Sequence, residues 1–157
     1  PRRTLPPGQR PPRPRPARGM TPPDALAAAA RALVGTPFRP GGRDPATGLD
    51  CFGLLHAALV AIGIQPSLPA THRQRKLALP DLDPWLVANR LVIAQAPAIA
   101  GDVMLLRCGP AQPHCAILTL TGFVHAHAGL RRVVEAPGMP PYPLLSHARL
   151  DTRRGTD

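Results

Sequence analysis

An α+β domain, helices first and an antiparallel sheet after them, is what this sequence predicts. Helix-type segments occupy the stretch from Thr21 to Ile62, and four short apolar or β-prone segments fill Val103 to Glu135. The links between those four are too short for crossover helices, so neighbouring strands must run antiparallel. With 157 residues the chain holds one ordinary domain with a real core, and hardly two.

The elements follow in order. The first nineteen residues carry six arginines, seven prolines and no acid. Leu5 is the one sizeable apolar side chain there, too little to offset the entropy of ordering. Residues 1–20 are therefore expected to be a disordered Pro/Arg-rich extension, 21–150 a single domain and 151–157 a polar tail. Thr21-Pro22-Pro23-Asp24 opens the domain with a hydroxyl cap, prolines at early helix positions and an acid three residues on. The alanine-rich helix runs to Val34, and Gly35-Thr36-Pro37 ends it. A loop from Phe38 to Leu49 precedes a second helix, from about Asp50 to Ile62. In it Phe52, Leu55, Leu59 and Ile62 make one apolar face before Gly63. Gln65 to Ala100 is less legible: proline-rich joints, a basic stretch from His72 to Lys76 and a short helix around Trp85 to Arg90. The strand segments are Val103–Arg107, His114–Leu120, Gly122–Ala126 and Leu130–Glu135.

Composition excludes several classes. The net charge is +10, but the residues beyond the arginine-rich start carry only +4. Basicity thus describes mainly the extension, and nucleic acid is not an expected partner apart from that segment. There is none of the interleaved aromatic platform that single-strand binding needs. Cys51, Cys108 and Cys115 are odd in number and include no Cys-x-x-Cys pair, which argues against a disulfide framework and a zinc cluster. No secretory signal and no apolar run of membrane-spanning length is visible. The expectation is a protein made in the cytoplasm and carried outward by something else.

The chemistry centres on Asp50-Cys51, between a glycine-rich loop and an apolar helix. Unpaired amides at a helix start favour a thiolate, so Cys51 is expected to titrate low and act as a nucleophile. His114 opens a strand segment, and His125 and His127 share one face of the next. A general base needs its second ring nitrogen held by an acceptor, which a histidine on the neighbouring strand supplies. The strand pattern admits either His125 or His127 for that place. Cys108 and Cys115 read as core, and His56 as structural.

The loop and helix start, with Pro37, Phe38, Gly41, Gly42, Pro45, Gly48 and Asp50-Cys51-Phe52-Gly53-Leu54, resemble the signature of the NlpC-type cell-wall peptidases. Gly101-Asp102-Val103-Met104 is similar to that family's Gly-Asp-apolar strand, Pro113-His114-Cys115-Ala116 to its histidine strand, and Phe123-Val124-His125-Ala126 to its third-residue strand. The resemblance spans roughly Ala27 to Glu135. It implies a papain-like fold in which a helix bearing the nucleophile packs on the sheet bearing the histidines. It also implies Cys51 as nucleophile, His114 as base, His125 as its orienting partner and Asp50 as a holder of the substrate's free amino end. The implied reaction is hydrolysis within peptidoglycan stem peptides, without a metal or organic cofactor.

Phe38 stands where the family usually has tyrosine, and Phe52 where it usually has serine. Both are substrate-binding positions, so the resemblance implies altered recognition of the amino end. An apolar residue after the cysteine is familiar from the branch encoded with phage tails and gene transfer particles. That implies phage-like tail proteins as partners and delivery to the cell wall with the particle. Two other functions are compatible with the same residues: a catalytically inactive tail-tip structural protein, and a related Cys-His amidase, acyltransferase or thioesterase acting on another substrate.

Overall fold

The computed structural model describes residues 19–67, 82–110 and 112–153. The extension up to residue 18, the basic stretch at 72–76 and the last four residues of the polar tail lie outside them.

Helix α1, Pro22–Ala32, begins on the expected capping box: Thr21 and Asp24 each accept from the other's backbone N–H, with prolines at the first two positions. Its inner side buries Leu26 and Ala30. Helix α2, Cys51–Ala61, is capped by Asp50, whose carboxylate accepts from the Gly53 N–H at 2.7 Å. The predicted single apolar face is too narrow a description. Phe52, Leu54, Leu55, Ala58 and Leu59 are all buried, a face about 160° wide that takes in Leu54 and Ala58 beyond the predicted stripe. Two short strands, β1 (Arg43–Asp44) and β2 (Gly48–Leu49), form a hairpin against its start. Gly53 makes this packing fit: a Cβ there would sit 1.9 Å from the Gly42 carbonyl oxygen.

Helix α3, Asp83–Ala88, begins two residues before the predicted position. Buried Asn89 ties it to Ser67: Oδ1 accepts from the Ser67 N–H, and Nδ2 donates to the Ser67 hydroxyl.

Six antiparallel strands form the sheet: β3 (Leu91–Ile93), β4 (Val103–Gly109), β5 (Gln112–Leu118), β6 (Gly122–His127), β7 (Arg132–Pro137) and β8 (Leu144–Leu150). Their spatial order is β3-β8-β4-β5-β6-β7, so the end of the chain returns to fill the place between β3 and β4. The four predicted strands are present with shifted ends. β5 stops at Leu118 because Thr119 turns the chain, pairing its N–H with the Gly122 carbonyl and accepting the Gly122 N–H on its hydroxyl. β7 starts at Arg132 because Ala128 to Arg131 form a turn, with Arg131 at φ 57°. Neither β3 nor β8 was predicted.

The main core gathers Leu26, Leu54, Leu55 and Leu59 with Val103, Leu105, Cys115, Ile117, Val124 and Ala126. Alternate strand residues, Met104, Leu106, Ala116, Leu118 and Phe123, form a smaller cluster that Tyr142 packs against. Fully buried Asp102 secures the start of β4. It accepts from Arg149 Nε (2.7 Å), His147 Nε2 (2.6 Å) and the Ile99 N–H (2.8 Å). Burial alone would raise its carboxyl, but these donors together hold it below the usual carboxylate value.

Candidate active site

A cleft of about 490 Å³ opens over the first turn of α2. Its lining brings together Cys51 and Asp50 from the helix start, Phe38, Pro40 and Gly41 from the preceding loop, and His114, His125 and His127 from β5 and β6. The loop is held by backbone bonds to both neighbours: the Phe38 N–H donates to Arg131, and the Leu49 N–H to Pro37. Phe38 is thereby fixed at the cleft wall.

The β5–β6 ladder joins Ile117 to Val124 and Leu118 to Phe123, and stops before the histidines. Beyond it the α2 terminus comes close, and the Cys115 backbone hydrogen-bonds the Cys51 sulfur. His114 Nε2 lies 3.0 Å from His125 Nδ1, with the rings edge-on at 82°. His127 is engaged elsewhere: its Nδ1 accepts the Leu130 N–H at 3.1 Å. Of the two histidines that the strand pattern admits, His125 is thus the one in contact with His114. If Nε2–H of His114 is the donor, its Nδ1 remains an acceptor for another proton.

The expected low thiol pKa is not what the surroundings produce. Burial and the Asp50 charge push Cys51 up to about 12, against backbone hydrogen bonds from Cys115 and Phe52 that favour the thiolate. Burial, then the charges of His125 and His127, take His114 down to about 4. His125 falls to about 4 through burial and then His127. Burial thus favours the neutral thiol of Cys51 and the neutral rings of His114 and His125; one turn of helix amides does not outweigh the lost solvation.

Asp50 is committed within the protein. Beyond capping Gly53, its carboxylate accepts the Gly41 N–H at 3.0 Å and pairs with Arg43 Nη1. Phe52 is not in the cleft: it is 5% exposed in the main core, edge-on to Trp85 with ring centres 5.5 Å apart. The side chain one position beyond Cys51 is turned about 100° around the helix axis from it, which spacing along a helix already indicates.

No protein-family model and no curated protein matches the chain. Solved structures do. The NlpC/p60 domain of the peptidoglycan hydrolase SagA is 25% identical, over 74% of this chain and 90% of that one, with a TM-score of 0.50. The P60 domain of an antigen from M. avium subspecies paratuberculosis is 19% identical over 82% and 93%, with a TM-score of 0.54. NlpC1 from Trichomonas vaginalis is 21% identical over 80% of this chain and 42% of its own length, with a TM-score of 0.57. The fold is that of the NlpC/p60 domains.

Within this NlpC/p60 fold, sequence reasoning missed two cleft residues, Gln112 and Tyr142. Tyr142 enters from the proline-rich link between β7 and β8, and its ring centre is 6.1 Å from that of His114. The isolated aromatic in Pro140-Pro141-Tyr142-Pro143 was its sole signal. All three cysteines are free thiols, and no His/Cys/Asp/Glu group suited to a metal occurs among the described residues. No described helix is long and apolar enough to cross a membrane.

Proposed function

We propose that the chain is an NlpC-type cysteine peptidase that hydrolyses amide bonds in peptidoglycan stem peptides. The observation that carries this reading is the convergence of Cys51, His114 and His125 in one cleft on an NlpC/p60 fold. His114 takes the thiol proton as Cys51 Sγ attacks the scissile carbonyl, so charge separation is deferred to the reaction itself. The Cys51 N–H, at the unpaired start of α2, stabilises the oxyanion. The C–N bond breaks as His114 protonates the leaving amine. His114 then removes a proton from water, whose oxygen attacks the thioester, and returns that proton to the Cys51 sulfur as the C–S bond breaks. His125 keeps the His114 ring in place throughout.

Phage-like particles are the proposed carrier. The support is Phe52, the apolar residue after the cysteine. Digestion of purified peptidoglycan by the wild type and by Cys51→Ala, with fragments identified by mass spectrometry, tests the enzymatic reading. Fragments from the wild type alone are expected; equal release by both proteins would remove Cys51 from the mechanism.

A further inference from the structure

Beside Asp50 the cleft is lined by Phe38, Pro40 and Gly41. Asp50 is the one carboxylate among the described cleft residues, and its charge is already matched. Arg43 Nη1 donates to Oδ1, which also takes the Gly53 N–H, while Oδ2 takes the Gly41 N–H. The pair is enclosed, with the Arg43 and Asp50 side chains 19% and 10% exposed. Nη1 of Arg43 is further anchored on the Gly42 carbonyl at 2.8 Å, while its Nε and Nη2 are buried without a hydrogen-bond partner among the described residues. The guanidinium is therefore built into the loop rather than free to swing aside for a ligand.

A substrate ammonium entering this cleft would exchange water for a carboxylate that is already paired and for a guanidinium of its own sign. The other ionisable side chains among the described lining residues are three histidines, one thiol and one tyrosine, none of them a carboxylate. An acylated nitrogen carries no such cost, and its acyl group can pack on Phe38 and Pro40. We propose that Arg43, acting through Asp50, makes the cleft select stem peptides whose amino terminus is acylated over those with a free amine. The substrate class is then the stem still attached through its first residue to the glycan, not the released peptide. This inference rests on the peptidase reading above and gives Arg43 a positioning role.

Two matched pairs of ligands, each differing only in an acetylated or free amino terminus, test it on the full chain. One pair is a stem-peptide substrate read by hydrolysis; the other is an alanyl chloromethyl ketone read by the mass added at Cys51. The wild type is expected to favour the acetylated member of both pairs by about tenfold or more. Arg43→Gln should collapse that ratio toward or below one, and Arg43→Lys should retain it. Equal or reversed preference of the wild type for the two ketones overturns the inference, whatever happens to peptidoglycan. A ketone preference without hydrolysis of either peptide leaves the selection intact and removes the peptidoglycan reading. No labelling of Cys51 by either ketone overturns both.

Discussion

Cys51, His114 and His125 have each been moved toward their neutral forms, and this sets how the site responds to pH. His114 is held down to about 4, so it remains a competent base well below the ordinary imidazole value of 6.5. The acid limb of kcat/KM is therefore predicted near pH 4; a limb at the unperturbed value would show that His114 is not buried as described. Iodoacetamide should alkylate Cys51 slowly at neutral pH and faster only in alkali, since the thiol is raised to about 12. Rapid labelling in mild acid would instead indicate a preformed ion pair. The sequence told which residue types meet but not their ionisation. Amides at the helix start are visible in the sequence, whereas desolvation and the Asp50 charge, which decide the balance, depend on what packs around the sulfur.

Two elements carry the geometry of the site, and both can be broken selectively. In α2, Gly53→Ala places a methyl group against the Gly42 carbonyl and is predicted to cost about 1–3 kcal/mol despite alanine's higher helix propensity. A denaturation midpoint at or above the wild type would show that the Gly42 carbonyl leaves room for a Cβ at Gly53. Just before β4, Asp102→Asn leaves Arg149 without its charge partner and weakens the hydrogen bond with His147, and should cost about 2–4 kcal/mol in urea unfolding. These helices and strands were legible to different degrees. The caps of α1 and α2 are local patterns, Thr21-to-Asp24 and Asp50-to-Gly53, and sequence alone locates both. β8 pairs with β4 across some forty residues, and its polar His147 and Arg149 alternate toward Asp102. No local signal reveals that partner, so the strand and its role were missed together.

At the scale of the whole molecule, acid should act in two windows. His114 and His125 are lowered on folding, so their contribution is complete above 6.5 and is lost as pH falls toward about 4. Asp102 is also lowered, but from 3.8, so its contribution persists above that value and is lost only as pH falls further. Stability measured from neutral pH downward should therefore decline first through the histidines and then through the carboxylate. The basic extension carries six arginines and no acid but none of the Cys-His motif residues, and deleting residues 1–19 is predicted to leave fragment release unchanged. The central claim is that Cys51 and His114 act as one hydrolytic unit. The most direct measurement is the yield of new amino termini when purified sacculi are incubated with the wild type, Cys51→Ala, His114→Ala and His127→Ala. Release by the wild type and His127→Ala, and none by the other two, is the predicted result. Equal release by Cys51→Ala or His114→Ala, from folded protein, would contradict it.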